Sequence, residues 1–361
     1  MIHEISIDNF KCFEELKLSL SNLNVFSGLN GMGKSTAIQS LLLVKQSQEQ
    51  DAALSKVVLN GNYTSLGVGK DILYEDAGSD ELHFSYVDES GTTDLQVDYV
   101  SDRDVLNAKI INGNIINSLN SDFEYISAGR LSPQTIYEKS SFYVDIKSQL
   151  GIYGQYTVHY LVGHQDDEIF WPNETGEKYI LKSLVQMWLN EISPNVKLNI
   201  STIQNADFAQ INYYYTDSLD STKGNEYRPT NVGFGISYVL PIITALLKAK
   251  KNSILIIENP EAHLHPHGQR KMGELIAICA NRGVQIFVET HSDHILNGIR
   301  ISAKTKAVDP ENIRLFFFEK KQFDKKVRHV VATPKILENG RLDFWPDGFF
   351  DEWEKALDEI V

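Results

Sequence analysis

Gly28-Leu29-Asn30-Gly31-Met32-Gly33-Lys34-Ser35 has the spacing G-x-x-x-x-G-K-[ST]. Glycines at these places let the backbone curl, so that N–H groups at Asn30, Gly31 and Gly33 can surround phosphate oxygens. A helix opening at Lys34 adds the positive end of its dipole to the same place. In this chemistry Lys34 bridges the β- and γ-phosphates and Ser35, followed by Thr36, places its hydroxyl on Mg²⁺. The magnesium shell also needs an acidic group at the end of a neighbouring strand, and the apolar run "SILIIE" ends on Glu258. A second run, "VQIFVET", ends immediately before His291, where an imidazole can sense a γ-phosphate. The three strand ends together predict a nucleotide hydrolase.

The segment "IIENPEAHLHP" holds further candidates. Asn259 follows Glu258, and Glu261 is the next carboxylate along the chain. His263, His265 and His267 alternate closely enough to suggest a metal triad, since imidazoles are common zinc ligands. Pro266 between them, and the lack of a companion cysteine, favour a turn whose histidines make hydrogen bonds.

These residues need elements to hold them. "NLNVFSG" predicts a short strand leading into the glycine-rich loop, and "STAIQSLLLVKQ" a helix leaving it. Residues 2–8 and 16–20 alternate as strands around the turn "NFKCFEE", and residues 57–125 suggest a meander rich in Asp and Glu. A helix is expected around 178–192, ending before Pro194, with strands near 196–202 and 209–215. From residue 236, helices alternate with apolar strands, which predicts an α/β chain with a parallel sheet covered on both faces. A hairpin over "IRLFFFEKKQFDKKVRHVVA" and an acidic, amphipathic tail with Phe349, Phe350, Trp353, Leu357 and Ile360 complete the chain. The default for that tail is docking on the protein's own core; the alternative is a partner-binding helix.

At 361 residues, 42% apolar and 23% charged, the chain is long enough for one large domain or two ordinary ones. The net charge of −14 argues against an extended DNA-coating surface, because such binding depends on basic residues releasing counterions. Local patches remain at Lys248, Lys250 and Lys251 and over Lys320–Arg328. Cys12 and Cys279 are the two cysteines, too few for a disulfide framework. The N-terminus lacks the basic and apolar regions of a signal peptide, and no apolar run reaches membrane-spanning length. A cytoplasmic protein with no membrane partner is expected.

Five stretches in order, "NFKCF", "GLNGMGKST", "NVGFGIS", "IIENPEAHLHP" and "THSDHIL", resemble ATPases with ABC-type heads. That class contains the chromosome-maintenance proteins, the RecF recombination mediator and the overcoming-lysogenization-defect (OLD) ATPases, and the ENPEAHLHP form is most similar to the last branch. "FWPDGFFDEWEKAL" resembles an uncharacterised extension on some of them. The resemblance implies a P-loop NTPase head with an N-terminal antiparallel β-subdomain and an inserted β-rich and helical lobe. The expected divisions are 1–56 and 231–335 for the head, 57–230 for the lobe and 336–361 for the extension. It also implies ATP and Mg²⁺ as cofactors, with two heads sandwiching two ATP molecules in a homodimer. In that arrangement the signature segment, with Gly233, Gly235 and Ser237, meets the partner's γ-phosphate. Asn9 and Lys11 lie near the adenine or phosphates, a surface turn being the other reading.

The sequence departs from the family pattern in two places. Gly233 stands where the signature's first serine is usual, leaving backbone donors or Ser237 to replace that hydroxyl. The usual Asp-Glu pair is Glu258-Asn259, so Glu258 serves the magnesium shell while Asn259 cannot accept a proton. Glu261 is then the nearest candidate base. Arg130 in "YISAGRLSP" is either a phosphate-side or inter-subunit arginine or a solvent-facing loop charge. No sustained heptads and no nuclease constellation are evident, so an effector activity is expected from a separate nuclease or toxin-like subunit. The resemblance suggests anti-phage or foreign-DNA defence, with a RecF-like, DNA-binding repair ATPase or an ATP-gated scaffold as alternatives.

Overall fold

The computed structural model describes residues 1–172, 178–215, 225–323 and 326–360, with the backbone alone at 352–354. Two compact units emerge, Met1–Ser121 with Asp309–Val361, and Asp122–Val308.

The chain opens with strands β1 (Ile2–Phe10), β2 (Phe13–Ser19) and β3 (Leu23–Gly28) and helix α1 (Lys34–Gln50). Strands β4 (Lys56–Val58), β5 (Glu81–Asp88), β6 (Gly91–Asp98) and β7 (Val105–Gly113) follow. The expected hairpin at the N-terminus is present: β1 and β2 pair antiparallel, with Ile7 opposite Leu16 and Phe10 opposite Phe13. Alternation buries Ile5 and Ile7 on one face, and Phe10, after the left-handed Asn9, packs on the Phe84 ring. β5 hydrogen-bonds β1 directly, giving a sheet of order β2-β1-β5-β6-β7-β4. The acidic meander therefore continues the sheet begun at residue 2, and no separate arm starts at residue 57.

The second unit contains β8 (Phe123–Ile126), β9 (Tyr137–Glu138), α2 (Thr157–His164), β10 (Glu168–Ile169), β11 (Tyr179–Ile180) and α3 (Leu181–Ile192). It continues through β12 (Val196–Thr202), β13 (Phe208–Tyr215), β14 (Glu226–Tyr227), α4 (Phe234–Lys248) and β15 (Ile254–Glu258). It closes with α5 (Pro266–Asn281), β16 (Gln285–Glu289) and α6 (Asp293–Lys304). β16 runs parallel to β15, as the alternation of helices and apolar strands implies, and β8 pairs parallel to the other side of β15. β8 thus belongs with β15 and is no part of the meander in which its sequence was expected. Leu181, Leu184, Val185, Trp188 and Leu189 bury one stripe of α3 at helical spacing. α5 and α6 approach so closely that a Cβ at Gly273 would lie 2.2 Å from the Ile295 carbonyl oxygen.

Back in the first unit, β17 (Ile313–Phe323) and β18 (Lys326–Ala332) form the expected hairpin, and β17 runs parallel to β3. Phe26 packs edge-on against Phe316 and Phe318 beneath the glycine-rich loop. Helix α7 (Glu352–Ile360) ends the described chain. Phe349 is buried against Phe317, whereas Leu357 and Ile360 are exposed. The aromatic segment docks on its own unit while the helix after it presents apolar residues to solvent.

Candidate functional site

In the first unit, the loop is shaped by packing as well as by glycine. Gly28 has φ +137°, and a Cβ there would lie 2.3 Å from the Phe318 carbonyl oxygen. Gly33, at φ +105°, admits no side chain because a Cβ would meet the Phe13 ring at 2.4 Å. Gly31 is different: no heavy atom lies within 4 Å of a Cβ built there, so that flank of the turn is open. Lys34 is buried, and its Nζ donates to the Gly28 and Leu29 carbonyls, both at 2.9 Å. Its ammonium is thereby held inside the curl. Ser35 is exposed at the start of α1, with Thr36 buried behind it.

Asn9 and Lys11 both take left-handed backbone conformations, with φ near 56° and 54°. Asn9 Nδ2 donates to the Glu81 carbonyl at 3.0 Å and to Ser79 Oγ at 3.3 Å, which commits its amide to the turn. Lys11 Nζ donates to Gln39 Oε1 on α1 at 2.7 Å, and partial burial lowers its pKa. Cys12 Sγ lies 3.6 Å from Thr36 Oγ1, and burial raises the thiol pKa. His329 on β18 places Nε2 3.4 Å from the Gly31 carbonyl oxygen and meets the Phe13 ring edge-on. Burial lowers its pKa, which favours the neutral imidazole. A cavity of about 500 Å³, lined by Cys12, Tyr74 and His329 among others, opens beside this cluster. His329 and Gln39 carry no local sequence signal, because only the hairpin and the helix face bring them to the loop.

In the second unit, Glu258 stands at the end of β15 with both carboxylate oxygens placed. Oε1 accepts from the Tyr125 hydroxyl and Oε2 from the Ala128 N–H, each at 3.0 Å. Burial and then the Glu258 carboxylate raise the Tyr125 pKa, keeping that phenol a donor. Asn259 has φ 45°, a conformation in which asparagine is among the least strained side chains. Its N–H donates to the Glu289 carbonyl at 2.8 Å. Glu261 accepts from the Thr290 hydroxyl and from the His291 N–H, both at 2.8 Å. The two strand-end turns are therefore tied by one carboxylate, and His291 is exposed beyond it.

Arg130 is not a solvent-facing charge: it is 3% exposed. Its guanidinium donates to the carbonyls of Ser127, Glu258 and Asn259 at 2.9, 2.7 and 2.8 Å. Burial pushes its pKa down to about 10, leaving it charged at neutral pH. Three carbonyl acceptors and the Tyr238 ring at 5.9 Å compensate that charge.

The glycine-rich segment before α4 exposes Asn231, Gly233 and Phe234. Ser237 is buried, with its hydroxyl toward Tyr137 and Tyr213, so it does not share that exposed face. A Cβ at Gly235 would lie 2.5 Å from the His263 carbonyl oxygen, which seats the helix start on the "EAHLHP" turn. His263 lies 4.4 Å from the Tyr238 ring and 6.0 Å from that of Phe234. His265 instead caps α5, accepting from the His267 N–H at 3.4 Å. His263 and His265 thus have separate tasks, and no group of three metal-ligating side chains occurs among the described residues.

The glycine-rich loop between β3 and α1 has the P-loop NTPase pattern. Family models agree: "AAA ATPase domain" matches residues 1–152, and "AAA domain, putative AbiEii toxin, Type IV TA system" matches 179–297. A "Protein of unknown function" family matches 308–360. No curated protein matches the chain. A solved SmcHead bound to the C-winged helix domain of ScpA is similar with TM-score 0.56 and 12% identity, covering 92% of this chain and 97% of that one. An Smc head domain with an extended coiled coil, bound to the C-terminal domain of ScpA derived from Pyrococcus furiosus, gives TM-score 0.54 and 11% identity. That match covers 100% of this chain and 99% of the other. At such identities the likeness shows the fold. The chain thus has the fold of an SMC-type ATPase head, with AAA-domain family models matching two of its segments. Among the described residues no helix is long and apolar enough to cross a membrane.

Proposed function

We propose that the chain binds and hydrolyses ATP, using the nucleotide to join two heads and so control a separate effector protein. The observation that carries this reading is the loop: Lys34 held inside a glycine curl whose Gly31 flank is open. ATP with Mg²⁺ supplies the phosphate charge and the bond to be hydrolysed. Backbone N–H groups from Asn30 to Thr36 bind the phosphates, and Lys34 neutralises them. Ser35 and Glu258 are the metal-side residues; Mg²⁺ suits so small a protein set because it keeps waters and substrate phosphates. Glu258 retains lone pairs beyond the two bonds it accepts, as that role requires. His291 faces the γ-phosphate, and Gly233 and Gly235 present the signature backbone to the second head.

The low-turnover version of this switch has its own support. Asn259 is no base, and both oxygens of Glu261 are engaged by Thr290 and His291. Glu261 thus suits a positioning role for His291, and turnover is slow or raised by a partner. The matched family's name, with its AbiEii toxin and type IV system, supports a setting in defence against phage or foreign DNA. The ScpA domains on the two Smc heads support a protein partner. Sizing by light scattering tests the switch: wild-type chain should double in mass with Mg·ATP, and Lys34→Ala should not. A wild-type mass indifferent to ATP contradicts it.

A further inference from the structure

The second unit carries a cavity of about 350 Å³ made of residues that the ATP chemistry does not use. Tyr160, Asp167, Glu168, Phe170, Lys250, Lys251 and Arg282 are among the residues that line it. Its charge stands against a chain of net −14. Asp167 meets a ring nitrogen of His164 at 2.8 Å and Glu168 is paired with Lys178 at 2.5 Å, and these two carboxylates face the cations of Lys248, Lys250, Lys251 and Arg282. Lys248, deeper in the wall, is taken by Glu124 at 2.8 Å. Lys251 and Arg282 form no ion pair among the described residues, and Lys250, 77% exposed, reaches Asp122 only at 3.8 Å. Arg282 is steadied by Trp171, whose ring lies 5.2 Å from the guanidinium carbon. Phe170 is 69% exposed in the same lining, an apolar ring left in water beside Lys250, Lys251 and Arg282. A flat ring with cations around it is how proteins hold an aromatic base and its phosphate. The volume lies within the range of small-ligand pockets, which favours a free nucleotide over a strand.

The cavity is also placed to be felt. α4 begins at Gly233 and Phe234 in the glycine-rich segment and ends at Lys248 in the cavity wall. A ligand here acts on the far end of the helix whose first turn is the signature candidate.

We propose that this cavity is a second nucleotide site, with phosphate on Lys250, Lys251 and Arg282 and the base on Phe170. It rests on no step of ATP hydrolysis. Calorimetric titration of AMP into the Lys34→Ala chain tests it, because the loop is then disabled and AMP carries one base and one phosphate. One AMP should bind per chain. Lys250→Glu/Lys251→Glu should weaken it at least about tenfold, since charge-assisted hydrogen bonds to phosphate are lost. Phe170→Ala should weaken AMP while leaving inorganic phosphate unchanged. All three positions are exposed, and thermal melts should coincide with the parent's. AMP binding that vanishes in Lys34→Ala, or survives the double lysine change at full strength, overturns the proposal. Tighter binding of a single-stranded oligonucleotide than of AMP at these lysines overturns it in favour of a strand.

Discussion

The loop at Gly28–Thr36 and the turn at Glu258–Glu261 hold the residues of the proposed ATP chemistry, yet they are built in opposite ways. The loop is local: its lysine bonds carbonyls five and six residues back, and its curl follows from glycines within the motif. The turn is assembled from afar. Tyr125, Ala128 and Arg130 come from one segment, Thr290 and His291 from another, and all converge on Glu258–Glu261 at the end of β15. A local site can lose binding without losing the fold. A site tied through a buried arginine and a shared carboxylate should lose both together.

The largest effect is expected at Arg130. Arg130→Ala leaves the Ser127, Glu258 and Asn259 carbonyls unanswered in a buried place and should cost about 4 kcal/mol of stability. Chemical denaturation checks this; a loss under about 1 kcal/mol, within the range of ordinary surface changes, would show that the turn is not held by its arginine. Gly33→Ala comes next. A side chain at φ +105° against Phe13 should cost about 2 kcal/mol through local strain, while nucleotide binding is abolished. Equal losses of stability for the two variants would erase the contrast between local and assembled halves. Glu261→Gln is the mildest, at about 1 kcal/mol, because an amide keeps one acceptor for Thr290 or His291 but not both. Its turnover should fall while ATP affinity stays near wild type. Turnover restored or raised by Asn259→Glu in the same assay would assign the missing base to position 259 and leave Glu261 as a strap.

The same contrast explains what could be read in the sequence. The loop, the strand ends at Glu258 and His291, the helices over α3 and α4 and the C-terminal hairpin follow from short-range spacing, and each has its place in the structure. Ring-to-ring packing under the loop, His329 beside Gly31 and Gln39 beneath Lys11 depend on pairings between distant segments, for which periodicity holds no signal. β8 illustrates the cost: its four residues are apolar enough for any sheet, and only its parallel register with β15 separates it from the meander. Arg130 sits four residues beyond that strand, so its burial follows from β8's position and was open in the sequence. Asn259 is the reverse case. Its identity looks like a defect when the residues are compared with a family pattern, and its φ of 45° gives the asparagine a conformational reason. The residues 173–177, 216–224 and 324–325 lie outside the described chain, and with them part of the expected 57–230 lobe.

ATP hydrolysis through Lys34 is the activity on which the proposed function stands. ATP turnover by purified wild type and Lys34→Ala, measured side by side with Mg²⁺, tests it most directly. Wild type should release phosphate slowly but measurably and Lys34→Ala none above background, with both proteins equally folded. Turnover in Lys34→Ala equal to wild type would contradict it.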